Sequence, residues 1–318
     1  MPCVLFARKD REENMPYKYE VTVLTPTYNR GKELCALYDS LLKQTDQGFQ
    51  WLIVDDGSTD DTAAVVESFG KHDFELTYVK KENGGKHTAL NYAHPYINGK
   101  LTFVVDSDDL FLPEAIQAIR EAWKKYSVID NVAEVAFNMG AIRDPGRPVA
   151  KGFPKGKDVI ISNFVDFEIN GPLSGDNCKA TLTDVLKEFP FPMHENERFI
   201  GESWAWMRVG IKCDCVFINR IIYLSEYLEG GLTKQGRAMR IRCPLGGMDY
   251  SNSYFLKGNG RAVKGSIQAK KALLFVAYGK FAGWNHNRIV NACNRKDLAR
   301  LFYLPGCLLY HYWKAKYL

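Results

Sequence analysis

Long apolar runs are missing from this 318-residue sequence, as are the paired cysteines of zinc-binding ribbons. No segment approaches the ~18 uninterrupted apolar residues of a membrane span, so we expect no transmembrane helix. The eight cysteines are scattered without a Cys-x-x-Cys pair, which is typical of free thiols in a reducing cytosol. The apolar patch Val4-Leu5-Phe6 is too short for a secretory signal, and charged residues follow it.

Acidic residues are scarce only towards the end of the chain. The whole sequence holds 42 basic and 37 acidic residues, and its net charge of +5 does not by itself indicate nucleic acid binding. From Ser251 onward Asp297 is the only acid, while lysine, arginine and aromatic residues are frequent. Basic amphipathic helices with Trp and Tyr bind anionic bilayers, so we predict peripheral membrane contact here. A helical cap on the rest of the protein, or a contact between subunits, is the alternative.

Short apolar runs rich in β-branched residues alternate with helical patterns in the first third of the chain. The runs are Val21–Thr25, Trp51–Val54, Leu76–Val79 and Leu101–Val105. The helical patterns between them are Gly31–Thr45, Thr62–Phe69 and Thr88–Tyr92. This alternation predicts an α/β fold with a largely parallel sheet.

Further elements are predicted beyond the fourth run. We expect helices at Glu114–Tyr126 and Gly201–Gly210, strands within Cys213–Leu224 and a loop over Gly140–Asp158, which carries prolines and glycines. From Ser266 onward, helical segments alternate with Gly and Pro breaks.

Polar clusters follow each of the four apolar runs directly. They are Thr25–Arg30, Asp55–Asp61, Glu82–His87 and Asp106–Asp109. Because the carboxyl ends of parallel strands face one crevice, where ligands bind, we expect the four clusters to converge on a single site.

The cluster Asp106-Ser107-Asp108-Asp109 carries the strongest chemical signal. Two carboxylates two residues apart at a strand end can both reach one hard divalent cation, and Mg²⁺ or Mn²⁺ in turn binds phosphate oxygens. The alternative is an acidic turn that caps the next helix, because aspartate is a favoured N-cap residue.

Two other clusters suit nucleotide recognition. A carboxylate of the pair Asp55-Asp56 can accept the imide N–H of a uracil ring, while neighbouring hydroxyls cap a helix. Asn83 begins a segment in which glycines allow close backbone approach and Lys86 can meet a phosphate. The alternative for the segment from Asn83 to Lys86 is a plain Asn-Gly turn with a surface lysine.

The four motifs, in this order, resemble those of family 2 glycosyltransferases over roughly Tyr19 to Glu114, and more loosely to about Thr233. They read Pro26-Thr27-Tyr28-Asn29-Arg30, Val54-Asp55-Asp56-Gly57-Ser58-Thr59-Asp60, Asn83-Gly84-Gly85-Lys86-His87-Thr88-Ala89-Leu90-Asn91 and Asp106-Ser107-Asp108-Asp109. The resemblance implies a GT-A fold, an α/β nucleotide-diphospho-sugar transferase fold with a mixed sheet, and inverting transfer of a sugar from a UDP-sugar.

Roles for the donor site follow from the resemblance. The segment Pro26, Thr27, Tyr28 and Asn29 frames the nucleoside, and one acid of the Asp55-Asp56 pair binds uracil. Asp106 lies by the ribose, and Asp108 holds the metal that bridges the diphosphate. Where the family often has an arginine, this chain has Leu90, so Lys86 or His87 is the expected substitute.

The resemblance also indicates a general base near the start of a helix, and Glu202 in Phe199–Trp206 matches it. Ser203 replaces the family's second acid, so Glu195 and Glu197 stay open as alternatives. Where many relatives carry a metal-binding histidine, Glu226, Glu229 or water is expected to serve. The pair Gly230-Gly231 suits a loop that closes over the donor, although a simple exposed turn fits equally.

We therefore predict an N-terminal extension over residues 1–18, a GT-A domain over 19–235 and a helical region over 236–318. The expected function is metal-dependent transfer to a saccharide or lipid-linked saccharide acceptor, in bacterial surface polysaccharide synthesis. The expected location is cytoplasmic, with contact to the inner membrane face. A nucleotidyltransferase would need a glycine-rich loop after the first strand, and Thr25–Arg30 has none. A catalytically silent nucleotide-sugar-binding or scaffold protein remains the alternative.

Overall fold

The first half of the sheet is a parallel four-stranded unit in the computed structural model, which describes residues 17–225 and 232–318. Its strands are β1 (Tyr19–Thr27), β2 (Gln50–Asp55), β3 (Glu75–Lys80) and β4 (Gly99–Val104). The connecting helices are α1 (Gly31–Leu42), α2 (Thr62–Glu67) and α3 (Lys86–Ala93). The strands lie in the order β3-β2-β1-β4, and every neighbouring pair is parallel. These elements match the predicted ones closely.

The sheet continues beyond β4 with antiparallel pairings. Its further strands are β5 (Leu110–Phe111), β6 (Val132–Ala141), β7 (Asp144–Pro148), β8 (Val159–Ser162), β9 (Asn177–Leu182) and β10 (Asp214–Ser225). Strand β9 is antiparallel to both β4 and β6, and β10 runs parallel to β6. The strand order is β3-β2-β1-β4-β9-β6-β10-β5, with β7 on β6 and β8 on β10. The sheet is therefore mixed.

Further helices precede the C-terminal region. A 3₁₀ turn at His94–Tyr96 comes just before β4, and the second half contains α4 (Ala115–Tyr126), a π-helix at Phe164–Ile169, α5 (Thr183–Lys187) and α6 (Ser203–Lys212). The expected helix at Gly201–Gly210 begins two residues later than predicted. The loop predicted over Gly140–Asp158 is partly wrong, because β7 lies inside it. All five residues of β7 are exposed, so no apolar alternation marks this edge strand in the sequence.

Both faces of the parallel unit are covered. On one face Val23, Ile53 and Phe103 pack with α1 and α4. On the other face Leu24 and Val54 pack with α3 and α6. Burial on both faces explains why these strands read as continuous apolar runs.

The C-terminal region is helical, as predicted. It contains α7 (Leu232–Arg242), α8 (Pro244–Ser253), the hairpin strands β11 (Lys257–Gly258) and β12 (Arg261–Ala262), α9 (Gly265–Phe281), α10 (His286–Ala292), α11 (Lys296–Leu301) and α12 (Tyr303–Tyr317). Phe275, Tyr278, Ile289 and Trp313 form part of its own core around α9. Within the described ranges, every helix is too short or too polar to cross a bilayer.

Candidate functional site

The loops that follow β1 and β2 are tied together by Asn29. Its backbone N–H donates to Ser58 Oγ at 2.8 Å, and its Oδ1 accepts from the Thr59 backbone N–H at 2.8 Å. Asn29 has a φ of 52°, a left-handed conformation that asparagine tolerates better than most residues. Tyr28 beside it is 44% exposed, so its ring is free to stack on a flat ligand.

The two aspartates after β2 are engaged within the protein. Asp55 is fully buried, and its carboxylate accepts from the Ser58 backbone N–H at 2.7 Å and from Tyr78 Oη at 2.5 Å. Asp56 accepts from Lys81 Nζ at 2.7 Å and from the Gly85 backbone N–H at 2.6 Å. Both carboxylates therefore shape the loops, and a contact between uracil and one of them stays a prediction.

The loop Asn83–Lys86 is held against the loop after β2. Asn83 Nδ2 donates to the Asp56 carbonyl at 2.8 Å. Gly85 has a φ of 95°, and a Cβ there would lie 2.0 Å from the Arg198 carbonyl oxygen. A side chain at this position would clash with backbone, so glycine lets the loop meet the segment that leads to Glu202.

Three carboxylates gather directly after β4. Oxygens of Asp106, Asp108 and Asp109 all lie within 4.8 Å of one another. Tyr223 Oη donates to Asp109 Oδ2 at 2.6 Å, and Arg30 Nη1 lies 3.7 Å from Asp108 Oδ2. The sequence predicts Asp108 as the metal ligand and not Asp109, whose carboxylate lies in the same group of three.

Burial and crowding shift the protonation of this acidic group. Burial, together with the neighbouring carboxylates of Asp106 and Asp108, raises the pKa of Asp109 to about 8. Burial also raises the pKa of Asp108, and Asp106 adds to that effect. Carboxylates that destabilise one another in this way are neutralised by a cation, and an all-oxygen donor set fits Mg²⁺ or Mn²⁺.

Lys86 joins the acidic group to the start of α6. Its ammonium group forms ion pairs with both Asp106 Oδ1 and Glu202 Oε1. Burial alone would lower the pKa of Lys86, but these two carboxylates raise it above its usual value, so the ammonium is charged. The ion pairs bring Asp106, Lys86 and Glu202 together, from three distant parts of the chain.

The three candidate general bases occupy different surroundings. Glu202 is 35% exposed in its side chain and faces the sheet edge through Lys86. Glu197 accepts from the backbone N–H groups of Leu245 and Gly246, both at 2.8 Å, and so caps α8. Glu195 is exposed. Among the three, Glu202 is the one in contact with the acidic site.

Other residues considered from the sequence have core positions. His87 is 2% exposed, and burial lowers its pKa to about 4, so its imidazole is expected to be neutral near pH 7, which favours Lys86 as the phosphate-binding cation of the two. Leu90 packs beneath the site with Val54 and Trp204. Glu226, Glu229 and the pair Gly230-Gly231 lie outside the described residues.

Comparisons with known proteins identify the domain that carries the four strand-end motifs. The sequence model of glycosyl transferase family 2 matches residues 22–166, which contain all four strand-end motifs. The chain carries a glycosyl transferase family 2 domain. Pneumococcal glycosyltransferase GlyG (Streptococcus pneumoniae) is 27% identical to it over 224 residues, which are 67% of this chain and 73% of GlyG.

A second relative is longer than this chain. An uncharacterized glycosyltransferase of Rickettsia bellii is 34% identical over 280 residues, which are 86% of this chain and 35% of that protein. The chain therefore spans about a third of this relative, and 36% of a Mycoplasma pneumoniae glycosyltransferase that it matches over 109 residues.

Solved structures show the fold of the family 2 domain and its helical extension. Staphylococcus aureus TarS residues 1–349, in complex with UDP-GlcNAc, align with a TM-score of 0.61 and 18% identity, over 90% of this chain and 89% of that one. The mannosyltransferase PcManGT from Pyrobaculum calidifontis, in complex with GDP-Man and Mn²⁺, aligns with a TM-score of 0.55 and 20% identity, over 95% and 85%. The predicted GT-A fold is confirmed.

Proposed function

We propose that this protein is an inverting, metal-dependent glycosyltransferase that moves a sugar from a UDP-sugar to an acceptor hydroxyl. The family 2 domain supports transferase chemistry, and the complex of TarS with UDP-GlcNAc supports a UDP-sugar donor. The observation that carries the proposal is the meeting of Asp106 and Glu202 on Lys86. It brings a metal-binding motif and a carboxylate base to the two sides of one site.

The donor side is assigned to the strand-end loops. Pro26, Thr27, Tyr28 and Asn29 frame the nucleoside, and the exposed ring of Tyr28 supports stacking on the base. Asp106 lies by the ribose, and Lys86 stands where a diphosphate oxygen would need a cation. The wall behind the uracil is formed by Asp55, Asp56 and Asn83, which are held rigid by their internal hydrogen bonds.

A divalent cation fits the acidic group and would be held by Asp108, with Asp106 and Asp109 close enough to share it. Bound there, it would supply charge neutralisation for the departing UDP. Tyr223 orients Asp109 through its hydroxyl and Arg30 approaches Asp108, so the protein sets the positions of these carboxylates.

On the acceptor side, Glu202 takes the proton from the acceptor hydroxyl as that oxygen attacks the anomeric carbon. A single displacement of this kind inverts the anomeric configuration. The mobile proton ends on Glu202 Oε, and the leaving group departs towards the acidic group. Lys86, which forms an ion pair with Glu202, keeps that carboxylate turned towards the sheet edge.

Turnover tests this assignment. UDP release would be followed with a set of UDP-sugars, Mn²⁺ and saccharide acceptors, for the wild type, Asp108→Ala and Glu202→Gln. We expect each substitution to lower the rate by about a hundred-fold or more, because each removes a group acting in the transition state. Glu195→Gln removes an exposed carboxylate of the same segment and is the matched control, with a rate near that of the wild type.

Equal rates in all four proteins would contradict the assignment. If the wild type binds UDP-sugars but releases no UDP with any acceptor, the alternative of a silent nucleotide-sugar-binding or scaffold protein is favoured.

We propose that the acceptor is a saccharide or lipid-linked saccharide used in the synthesis of bacterial surface polysaccharide. A lipid-linked acceptor lies at a membrane surface, so contact between the C-terminal region and the membrane would bring the enzyme to it. Helix α12 presents Leu304, Leu308 and Tyr312 to solvent, at 75%, 72% and 60% exposure. Spaced four residues apart, these side chains form one stripe on the helix. Residues 251–318 hold twelve basic residues and one acid. Together the stripe and the charge suit an anionic lipid surface on the cytoplasmic side.

A further inference from the structure

Two cations beside the proposed general base have aromatic neighbours in place of acidic ones. Lys271 is 9% exposed, and its Nζ donates to Tyr250 Oη at 2.8 Å and lies 3.6 Å from the centre of the Tyr254 ring. The Arg240 guanidinium lies 4.7 Å from the centre of the Tyr250 ring and 5.6 Å from that of Phe199. We call Arg240, Lys271, Tyr250 and Tyr254 the basic cluster.

The positive charge of the basic cluster is not balanced within the part of the chain that the structure describes. No carboxylate of residues 17–225 or 236–318 forms an ion pair with Arg240 or Lys271, and Asp249 nearby is paired with His194 at 2.5 Å. The Arg240 Nε atom is buried without a hydrogen-bond partner among the described residues. Buried cations are normally paired, because an uncompensated charge away from water is costly.

The basic cluster lies directly beside Glu202. A Cβ added to Gly201 would lie 3.3 Å from the Tyr250 ring and 3.5 Å from Arg240 Nη2. The guanidinium is therefore next to the residue that precedes the base. On the other side of Glu202, Lys86 separates it from the acidic group that is assigned to the donor. The basic cluster thus borders the acceptor side of the site.

We propose that the basic cluster binds a phosphate group carried by the acceptor, close to the hydroxyl that receives the sugar. This inference rests on the proposed function, because it takes Glu202 as the base and its far side as the acceptor side. The guanidinium fork of Arg240 supplies two parallel N–H donors to phosphate oxygens. Lys271 adds a second positive charge, and its hydrogen bond to the Tyr250 hydroxyl leaves the O–H of Tyr250 available to donate to the phosphate. A phosphate in this position balances the two cations and fixes the acceptor relative to Glu202.

Inorganic phosphate is the probe that tests the basic cluster without knowledge of the acceptor. Its binding to the full chain would be measured by calorimetry in the presence of saturating UDP and Mn²⁺, so that the donor's own phosphate site is filled. Sodium chloride of equal ionic strength is the reference. Binding of UDP to each variant would be measured separately, in the absence of phosphate.

We expect the wild type to bind phosphate at millimolar concentrations and Arg240→Gln to bind it at least about ten-fold more weakly, with unchanged UDP affinity. Tyr250→Phe, which removes only the hydroxyl, is expected to weaken phosphate binding by a few fold. Arg237→Gln is the matched control. Arg237 is exposed one turn earlier in α7, against Trp313, so its loss should leave phosphate binding unchanged.

Phosphate binding that is absent from the wild type, or equal in wild type and Arg240→Gln, would overturn the inference. A loss of UDP affinity in Arg240→Gln, with phosphate binding unaffected, would also overturn it by assigning Arg240 to the donor. Failure of the proposed function gives a different result, because the wild type would then release no UDP from any UDP-sugar and acceptor, whether or not it binds phosphate.

Discussion

Lys86 forms ion pairs with one carboxylate from the sheet edge and one from the start of α6. Without its ammonium group, Asp106 and Glu202 would face each other across the site with no charge between them. The two negatively charged carboxylates would then repel each other, and each carboxylate would move towards water or take up a proton. The position of Glu202, the proposed base, therefore depends on this lysine.

Lys86→Gln is expected to lower the rate of sugar transfer by about ten-fold or more, since it removes a charged hydrogen-bond donor from both acids. Lys86→Arg, which keeps the charge, should retain part of the rate. Rates of UDP release would be compared with those of Lys43→Gln, an exposed lysine after α1. Full activity in Lys86→Gln would show that the ion pairs of Lys86 with Asp106 and Glu202 do not contribute to sugar transfer.

His87 gives the protein a pH-dependent stability that is separate from catalysis. Burial lowers its pKa to about 4, whereas a histidine in the unfolded chain has a pKa of about 6.5. Between these two values the unfolded chain takes up a proton that the folded protein does not. Stability is therefore lost as the pH falls from about 6.5 to about 4, and above that range this residue causes no change.

His87→Gln should flatten this dependence. We expect the wild type to lose about 2 kcal/mol of unfolding free energy through His87 between pH 7.5 and pH 4.5. Urea denaturation at several pH values would measure the difference. His286→Gln, at an exposed site, is the control and should keep the pH dependence of the wild type. A His87→Gln variant with the same dependence as the wild type would mean that the buried imidazole titrates normally.

The candidate site residues that the sequence supplies are those that stand in short motifs. Asp106, Asp108 and Glu202 could be chosen because each belongs to a local pattern at a strand end or a helix start. The partners of these residues could not be predicted. Tyr223 and Arg198 reach the site from distant segments, and no local signal connects them to Asp109 or to Gly85.

At the level of elements, Glu197 fixes the start of α8 against the loop that leads to α6. Its carboxylate accepts two backbone N–H groups from the first turn of that helix. Such groups have no partner within a helix, and a carboxylate near the N-terminus also interacts favourably with the helix dipole. Glu197 is therefore a capping residue, and α8 carries Tyr250 of the basic cluster.

Glu197→Ala is expected to lower the unfolding free energy by about 1–2 kcal/mol, the usual cost of losing a capping side chain. Its rate of sugar transfer at a temperature well below unfolding should stay within a few fold of the wild type. Denaturant titration and UDP release would be measured on the same preparation. The opposite result, intact stability with a collapsed rate, would make Glu197 the general base in place of Glu202.

The parallel strands could be predicted because each is a short apolar run that ends in a polar cluster, and β1, β2 and β4 are largely buried. Strands β7 and β8 could not, since β7 is exposed and β8 is only partly buried. The antiparallel position of β9 between β4 and β6 depends on pairs separated by 39 residues (Asn138 with Asn177) to 81 residues (Leu101 with Leu182). The local pattern of apolar residues does not show which distant strands pair with each other.

Across the whole molecule, charge is distributed unevenly. Residues 1–250 carry a net charge of −6, and residues 251–318 carry +11. The exposed leucines of α12 lie in the positive part. A surface of this kind is attracted to anionic lipid, and the leucines can insert among the acyl chains at about 1.5–3 kcal/mol per buried side chain.

The protein is therefore expected to sediment with vesicles of phosphatidylglycerol and phosphatidylcholine, and much less with pure phosphatidylcholine. Replacing Leu304 and Leu308 together by Glu should lower the bound fraction several-fold. Met193→Glu is the matched control, since Met193 is 69% exposed in the other part of the molecule. Unchanged binding of the double variant would contradict the lipid assignment. The lipid assignment would also be contradicted if sedimentation equilibrium showed that the stripe joins two copies of the chain.

We propose that Asp106, Asp108 and Asp109 hold a divalent cation that binds the diphosphate of a UDP-sugar opposite Glu202. Calorimetric titration of UDP into the full chain, with and without Mn²⁺, tests it most directly when repeated on Asp108→Ala. We expect tight UDP binding only for the wild type with Mn²⁺, and much weaker binding when either the metal or the Asp108 carboxylate is removed. Equal UDP affinity under all these conditions, or no UDP binding by the wild type with Mn²⁺, would contradict it.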